Sequence, residues 1–341
     1  MQQGKFESVS RKRAHPLRIL LRILVWLLAI LLCAGIVLYV IPLTETESDR
    51  TAEHSGDWMS RLDDSLPLNQ IVLPGTHDSA TQYVQLGFFS KCQALEIGGQ
   101  LEAGFRYLDI RLGFRDGAPV LMHGFTLCKT GPLPWDGALQ LEQVLEQCYA
   151  FLEEHPGETV LLAVKLEHGD ETPAQLEQAL EDCISEQPDR WLLTDRIPTL
   201  GQARGKLVLL RRYEDEAGLG ARAGIPLLWE DQGGHEDTAL NIVMSDRGGY
   251  PLWVQDRYEY GSDDKWEAFL AGIGEQQIGA GDLALHFLST KGTLAYGHPW
   301  HFARDLNLRL LNTSVSTLRG WIILDFGNAT LAEQIYSANF R

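Results

Sequence analysis

Hydrophobic positions divide the chain into two unlike parts. Ile23 to Leu43 is an unbroken run of 21 residues without a charge. At about 1.5 Å per residue, a helix of that length crosses a hydrocarbon core of about 30 Å. Beyond it, short apolar runs recur between longer amphipathic stretches. The runs predict strands at Gln70–Leu73, Tyr107–Leu112, Val120–His123, Val160–Leu166, Leu207–Arg211, Leu252–Asp256, Leu283–Leu288 and Trp321–Phe326. The amphipathic stretches predict helices at Gln93–Ala103, Ala138–Glu154, Pro173–Glu186, Asp264–Ala271 and Thr330–Ala338. Within Ala138–Glu154, helical spacing puts Leu141, Val144, Leu145, Cys148 and Leu152 on one face, with Glu142, Glu146 and Glu153 nearer the other.

Several strand runs are continuous stretches of leucine and β-branched residues, as expected where a parallel sheet is buried on both faces. No repeat or low-complexity tract divides residues 66–341. Strands alternating with helices eight times over predict an α/β fold, a (β/α)8 barrel of the TIM type. Gly113–Pro119 is too short for a crossover helix, which needs about a dozen residues. The barrel should be irregular there. The chain thus reads as a basic segment at 1–22, a transmembrane anchor at 23–43, a polar acidic tether at 44–65 and a barrel at 66–341.

Composition sharpens this. Of 341 residues, 45% are hydrophobic and 22% charged, which excludes wholesale disorder. The net charge of −17 argues against a protein that coats nucleic acid. Residues 1–43 carry six basic side chains and one acid, leaving 23 basic and 45 acidic residues in the remainder. Arg11, Lys12, Arg13, Arg18 and Arg22 precede the apolar run, while Glu45, Glu47 and Asp49 follow it. The positive-inside rule places the N-terminus in the cytoplasm and the barrel outside, a single-pass membrane protein. A cleaved signal peptide competes, but it carries a shorter apolar stretch and a small-x-small cleavage site. None is evident after Tyr39. Cys33 lies inside the span. Cys92, Cys128, Cys148 and Cys183 would then sit where disulfides persist, with Cys92–Cys128 the preferred pair and buried free thiols the alternative. They lack the CxxC spacing of a zinc site.

In such barrels chemistry sits at the C-terminal ends of strands. The predicted ends carry Leu73-Pro74-Gly75-Thr76-His77-Asp78-Ser79, Asp109-Ile110-Arg111, His123-Gly124, Lys165-Leu166-Glu167, Arg211-Arg212-Tyr213, Asp256-Arg257-Tyr258 and Asp325-Phe326. Histidines, basic groups and carboxylates gather at one rim. Two imidazoles around a cationic clamp suit phosphoryl transfer, one as base and the other as acid. Guanidinium groups bind phosphate oxygens in bidentate fashion. A lone histidine is more often structural, and Asp109 and Glu167 could equally be rim salt bridges. His155, His168, His235, His286, His298 and His301 read as structural or exposed. Trp300, Tyr296, Phe88 and Phe89 read either as lipid-dipping anchors or as buried residues.

These blocks carry a resemblance. LPGTHDSAT, GFRYLDIRL, VLMHG, FLEEHPGETVLLAVKLE, ARGKLVLLRRY, VQDRY and GWIILDF occur in order from about Leu66 to Phe340. Together they resemble phosphatidylinositol-specific phospholipase C of the bacterial type, in its catalytic X domain. The resemblance implies that His77 is the general base acting on the inositol 2-hydroxyl and that Asp325 orients it. His123 matches the general acid for the diacylglycerol oxygen. Arg111 matches the arginine on the phosphate, with Asp78 supporting it and the acid step. Lys165, Arg212 and Asp256 match residues holding inositol hydroxyls, and Tyr258 the aromatic under the ring.

The implied enzyme is a phosphodiesterase that gives diacylglycerol and inositol 1,2-cyclic phosphate without a metal or other cofactor. Its partner is an inositol phospholipid at a membrane surface, reached from its own anchor, with no nucleic acid involved. Two alternatives stand beside it. A glycerophosphodiester-type enzyme would use carboxylate-bound metal, and Arg111 occupies the position where such a relative places an acid. A non-catalytic phospholipid-binding module would lack one of the two histidines.

Overall fold

The apolar N-terminal run forms helix α1 (Pro16–Gly35), continued by a π-helical segment at Ile36–Val40. The computed structural model describes residues 16–40, 55–233, 242–292 and 297–341. Among these, Pro16–Leu38 is the one helix long and apolar enough to cross a membrane, and its apolar stretch is not buried in the protein. It begins seven residues before the uncharged run, so Arg18 and Arg22 lie on its first turns.

The strands are β1 (Leu73–Thr76), β2 (Tyr107–Arg115), β3 (Ala118–His123), β4 (Thr126–Leu127), β5 (Val160–His168), β6 (Trp191–Leu192), β7 (Leu207–Arg211), β8 (Ile225–Pro226), β9 (Val243–Ser245), β10 (Leu252–Gln255), β11 (Leu283–Phe287) and β12 (Trp321–Leu324). The helices after α1 are α2 (Gly87–Ser90), α3 (Ile97–Glu102), α4 (Leu141–Glu154), α5 (Pro173–Glu186), α6 (Leu200–Ala203), α7 (Ser262–Ile273), α8 (Pro299–Leu311) and α9 (Ala329–Tyr336). The ladder runs β6–β7–β5–β2–β1–β12–β11–β10–β9, with β3 on β2 and β8 on β7. Every pairing from β6 to β10 is parallel, while β9 runs antiparallel to β10. This is an irregular TIM-type barrel.

The irregularity falls where the short connection requires it. β3 returns antiparallel to β2, pairing Arg115 with Ala118 and Leu112 with Leu121. A second irregularity was not evident from the sequence. No ladder joins β8 to β10 among the described residues, and side chains bridge the seam instead. Tyr250 Oη donates to Pro226 O at 2.7 Å, and Gln232 Nε2 donates to Val254 O at 3.2 Å.

Three expectations need correction. The first strand is β1 rather than Gln70–Leu73, because Leu68–Gln70 turns as a 3-10 helix. Leu-Pro-Gly-Thr has little strand character, yet it is held on both sides, Gly75 opposite Tyr107 and Ile323. A Cβ on Gly75 would approach Tyr107 to 2.9 Å, so only glycine lets these strands come this close. α8 was missed, although it buries Phe302, Ala303, Leu306, Asn307 and Leu310 along one stripe. Finally, Cys92, Cys128, Cys148 and Cys183 are all free and buried, so the expected Cys92–Cys128 pair is not formed. Cys148 and Cys183 sit in the apolar layer of α4 and α5, which needs no cross-link.

Alternation along β2 positions the site. Leu108, Ile110 and Leu112 pack outward with α4 residues Leu141, Val144 and Leu145. Tyr107, Asp109 and Arg111 therefore take the other face, with Tyr107 in the inner core beside Leu161 and Ala163. Register sets Asp109 opposite Ala163 and Arg111 opposite Lys165. Apolar residues thus fill the barrel floor and charged ones its mouth.

Candidate active site

The mouth holds a cavity of about 730 Å³ lined by His77, Arg111, His123, Lys165, Arg212, Asp256, Tyr258 and Asp325 among others. Eight of the nine sequence-predicted site residues therefore line one cavity. The ninth, Asp78, lies directly behind it, 2% exposed.

His77 follows β1. Its Nδ1 lies 2.7 Å from Asp325 Oδ1, and its Nε2 lies 2.8 Å from Arg111 Nη2. A guanidinium can only donate, so Nε2 must accept and Nδ1–H donates to the carboxylate. The Nε2 lone pair is therefore engaged by Arg111. Burial works against a charged imidazole here, but the Asp325 charge and hydrogen bond outweigh it and raise the His77 pKa above its ordinary value. Asp325 follows β12 and is 3% exposed.

His123 ends β3, with its ring centroid 6.4 Å from that of His77 and nearly perpendicular to it. Its Nδ1 lies 2.9 Å from Ser90 O and 3.1 Å from Asp78 Oδ2. Both neighbours are acceptors, so Nδ1 carries a proton and Nε2 is the atom available for exchange. Cys92 Sγ sits 3.8 Å from the same nitrogen.

Arg111 joins the two halves. Its Nη1 lies 3.2 Å from Asp78 Oδ2 and 3.1 Å from Glu167 Oε1, and its Nη2 lies 3.0 Å from Asp109 Oδ2. Burial opposes its charge, but these carboxylates override that and hold the guanidinium well above its usual pKa. Burial raises the Asp78 pKa, with Arg111 and His123 opposing. Asp109 and Glu167 go the other way: burial would raise both, yet Arg111 lowers each, with Arg212 helping at Asp109 and Lys165 at Glu167. Asp109 and Glu167 are thus ion-pair partners of the central arginine. Asp78 has φ +45°, a left-handed backbone that costs an L-residue energy and turns its carboxylate between Arg111 and His123. Gly124 has φ +54°, which turns its N–H onto Glu167 Oε1 at 3.1 Å.

Beyond this centre the cavity is lined by groups suited to a polyol. Lys165 Nζ donates to Glu167 Oε2 at 2.7 Å. Arg212 Nη1 donates to Asp109 Oδ1 at 2.9 Å, and its guanidinium stacks 4.2 Å over Trp229. Trp229 Nε1 donates to Asp256 Oδ2 at 3.3 Å, and Tyr258 Oη donates to Asp231 Oδ1 at 2.8 Å. Trp229, Asp231 and Cys92 were missed, because they lie on irregular segments with no periodic pattern. His155 pairs with Glu102 away from the cavity, and Trp300 packs on Phe326. His235 and Tyr296 lie outside the described residues.

His77, Asp78 and Cys92 also lie close enough to one another to be considered as metal ligands. The donor set fits poorly. Arg111 occupies both His77 and Asp78, and burial raises the Cys92 thiol well above its usual pKa, disfavouring the thiolate a metal needs.

Known proteins resemble this chain in sequence and in fold. Residues 65–213 match the family described as phosphatidylinositol-specific phospholipase C, X domain. The 1-phosphatidylinositol phosphodiesterase of Staphylococcus aureus (strain Newman) is 26% identical over 303 residues, covering 83% of this chain and 92% of the relative. That of Listeria monocytogenes is 30% identical over 164 residues, 45% of this chain and 47% of the relative. Solved phosphatidylinositol-specific phospholipase C structures from the same two species share the fold. The Staphylococcus structure superposes with TM-score 0.68 at 22% identity, over 84% of this chain and 98% of the other. The Listeria structure gives 0.65 at 22%, over 83% and 98%. The family match, the bacterial relatives and the shared fold together support a phosphatidylinositol-specific phospholipase C of the bacterial type.

Proposed function

We propose that this chain is a membrane-tethered phosphodiesterase that cleaves phosphatidylinositol or a related inositol phospholipid. The observation that carries the reading is the pair of imidazoles set about one guanidinium at the barrel mouth. His77 Nε2 takes the proton of the inositol 2-hydroxyl, with Asp325 stabilising the imidazolium that forms. The 2-oxygen attacks phosphorus and the bond to the diacylglycerol oxygen breaks. A proton from His123 Nε2 goes to that oxygen, and Asp78, 3.1 Å from Nδ1, holds the ring in place. Arg111 bonds the equatorial phosphate oxygens and stabilises the charge that develops on them. The products are diacylglycerol and inositol 1,2-cyclic phosphate.

Lys165, Arg212 and Asp256 hold the ring hydroxyls, with Tyr258 as the surface beneath the ring. No metal is needed, since the carboxylates around the phosphate position already serve Arg111, whose charge repels a divalent ion. The apolar helix Pro16–Leu38 supplies the anchor, with the barrel outside the cytoplasm and residues 66–341 as the catalytic unit. Release of cyclic inositol phosphate from labelled phosphatidylinositol in excess chelator tests the reading. Sustained release is expected; activity abolished by chelator and restored by calcium would reassign Asp109 and Glu167 as metal ligands.

A further inference from the structure

The chain enters the barrel at the end opposite the mouth. Ser55 and Gly56 sit beneath the start of β2, where their carbonyls accept from Arg106 Nη2 at 3.3 and 3.0 Å. Trp58 Nε1 donates to Gly104 O at 2.9 Å on the same floor. An anchor attached only there would leave the mouth free to face away from the bilayer. Yet Ile36–Val40, the last part of the apolar helix, lies beside α2 at the mouth. Residues 41–54 are long enough for this, since fourteen residues reach about 46–50 Å when extended.

The mouth itself has apolar edges. Phe89 of α2 lines the cavity yet is 53% exposed, and Phe125, next to the cavity-lining Gly124, is 71% exposed. Phe89 stands edge-on to Phe88, which in turn packs on His298, so the exposed ring is backed by a fixed aromatic stack. Exposed aromatics of this kind suit the boundary between headgroups and acyl chains. The acidic body would be repelled by an anionic surface, so close approach needs a device to enforce it.

We propose that the N-terminal helix docks beside α2 and holds the mouth against the bilayer that this helix crosses. Phe89 and Phe125 enter that bilayer, and the enzyme acts on lipid of its own membrane. The proposal rests on the reading of Pro16–Leu38 as an anchor and of the mouth as a phosphatidylinositol phosphodiesterase. Docking turns capture of lipid into an intramolecular event, which raises its effective concentration whatever the surface charge.

The test uses the full chain in phosphatidylcholine vesicles. Phosphatidylinositol is placed either in the same vesicles or in separate, non-fusing ones, and mixed detergent micelles report the chemistry alone. Hydrolysis in the shared vesicles should exceed that in separate ones by about 10²-fold or more. Equal rates would overturn the docking. Failure in micelles as well would instead overturn the reading of the site. A second readout does not need turnover. In a Cys33→Ala, His77→Ala background, a fluorophore on Phe125→Cys should be quenched by nitroxide-labelled phosphatidylcholine. An unquenched label would overturn the docked orientation.

Discussion

Two arginines, Arg106 just before β2 and Arg111 within it, show how this protein separates structure from chemistry. Arg106 lies at the floor and Arg111 stands five residues later at the mouth. Arg106 is buried, Arg111 is largely so, and both pair with carboxylates. Arg106 is fully enclosed: Nε donates to Glu158 Oε2 at 2.8 Å, and Nη1 and Nη2 donate to the carbonyls of Leu101, Phe105, Ser55 and Gly56. Apart from Nε, its donors end on fixed backbone acceptors that cannot titrate. Arg111 instead contacts His77, Asp78, Asp109 and Glu167, and is 13% exposed toward the cavity. Carboxylates and an imidazole can exchange protons and partners, and a phosphate oxygen can compete for the same guanidinium. The floor arginine ties the chain's entry segment to the sheet; the mouth arginine is held ready for an anion.

Substitution should separate the two by different observables. Arg106→Met leaves Glu158 buried without its partner and should cost about 3–5 kcal/mol of stability. Activity per folded molecule should be unchanged, and a thermal melt paired with titration of active sites checks both. Arg111→Lys keeps the charge but loses the fork, so turnover should fall by about 10²–10³-fold while the melting temperature barely moves. A large loss of stability in Arg111→Lys, or of turnover per folded molecule in Arg106→Met, would erase the contrast.

A finer test uses acidity. His77 acts as a base only when neutral, and Asp325 raises its pKa, so the acid limb of kcat/KM should lie above the ordinary histidine value. Asp325→Asn should move that limb to lower pH while lowering the maximal rate. An unmoved limb would assign the titration to another group.

The smallest effect belongs to a histidine outside the mouth. His286 is fully buried on β11, neither ring nitrogen has a hydrogen-bond partner, and burial pushes its pKa down to about 3. The fold therefore holds it neutral. The stability this contributes is complete above its unfolded pKa and is lost as pH falls from there toward 3. His286→Leu should gain about 1–2 kcal/mol on the parent between pH 7 and pH 5. Parallel stability curves across that range would contradict this.

The same contrast explains what was readable in advance. The strand cores were legible because Val160–Val164 and Leu207–Leu210 are buried on both faces, where continuous apolar sequence is the only workable pattern. The site's main residues were legible because they lie near the C-terminal ends of strand runs or just beyond them. β1 was misplaced because Pro74 and Gly75 are held as strand by neighbours on both sides, not by propensity. Trp229 and Asp231 escaped notice because the segment joining β8 to β10 carries no periodicity. The cysteine pairing failed because Cys92 packs against His123 in the site itself, a setting that spacing does not encode.

The central claim is that one imidazole removes a proton and the other supplies one. It is tested most directly by comparing His77→Ala and His123→Ala on phosphatidylinositol and on a nitrophenyl inositol phosphate, whose leaving group needs no protonation. Both variants should lose about 10²–10⁴-fold on the lipid. On the nitrophenyl ester His123→Ala should recover much of its rate, while His77→Ala should not. Equal losses on both substrates for both variants would contradict the assignment.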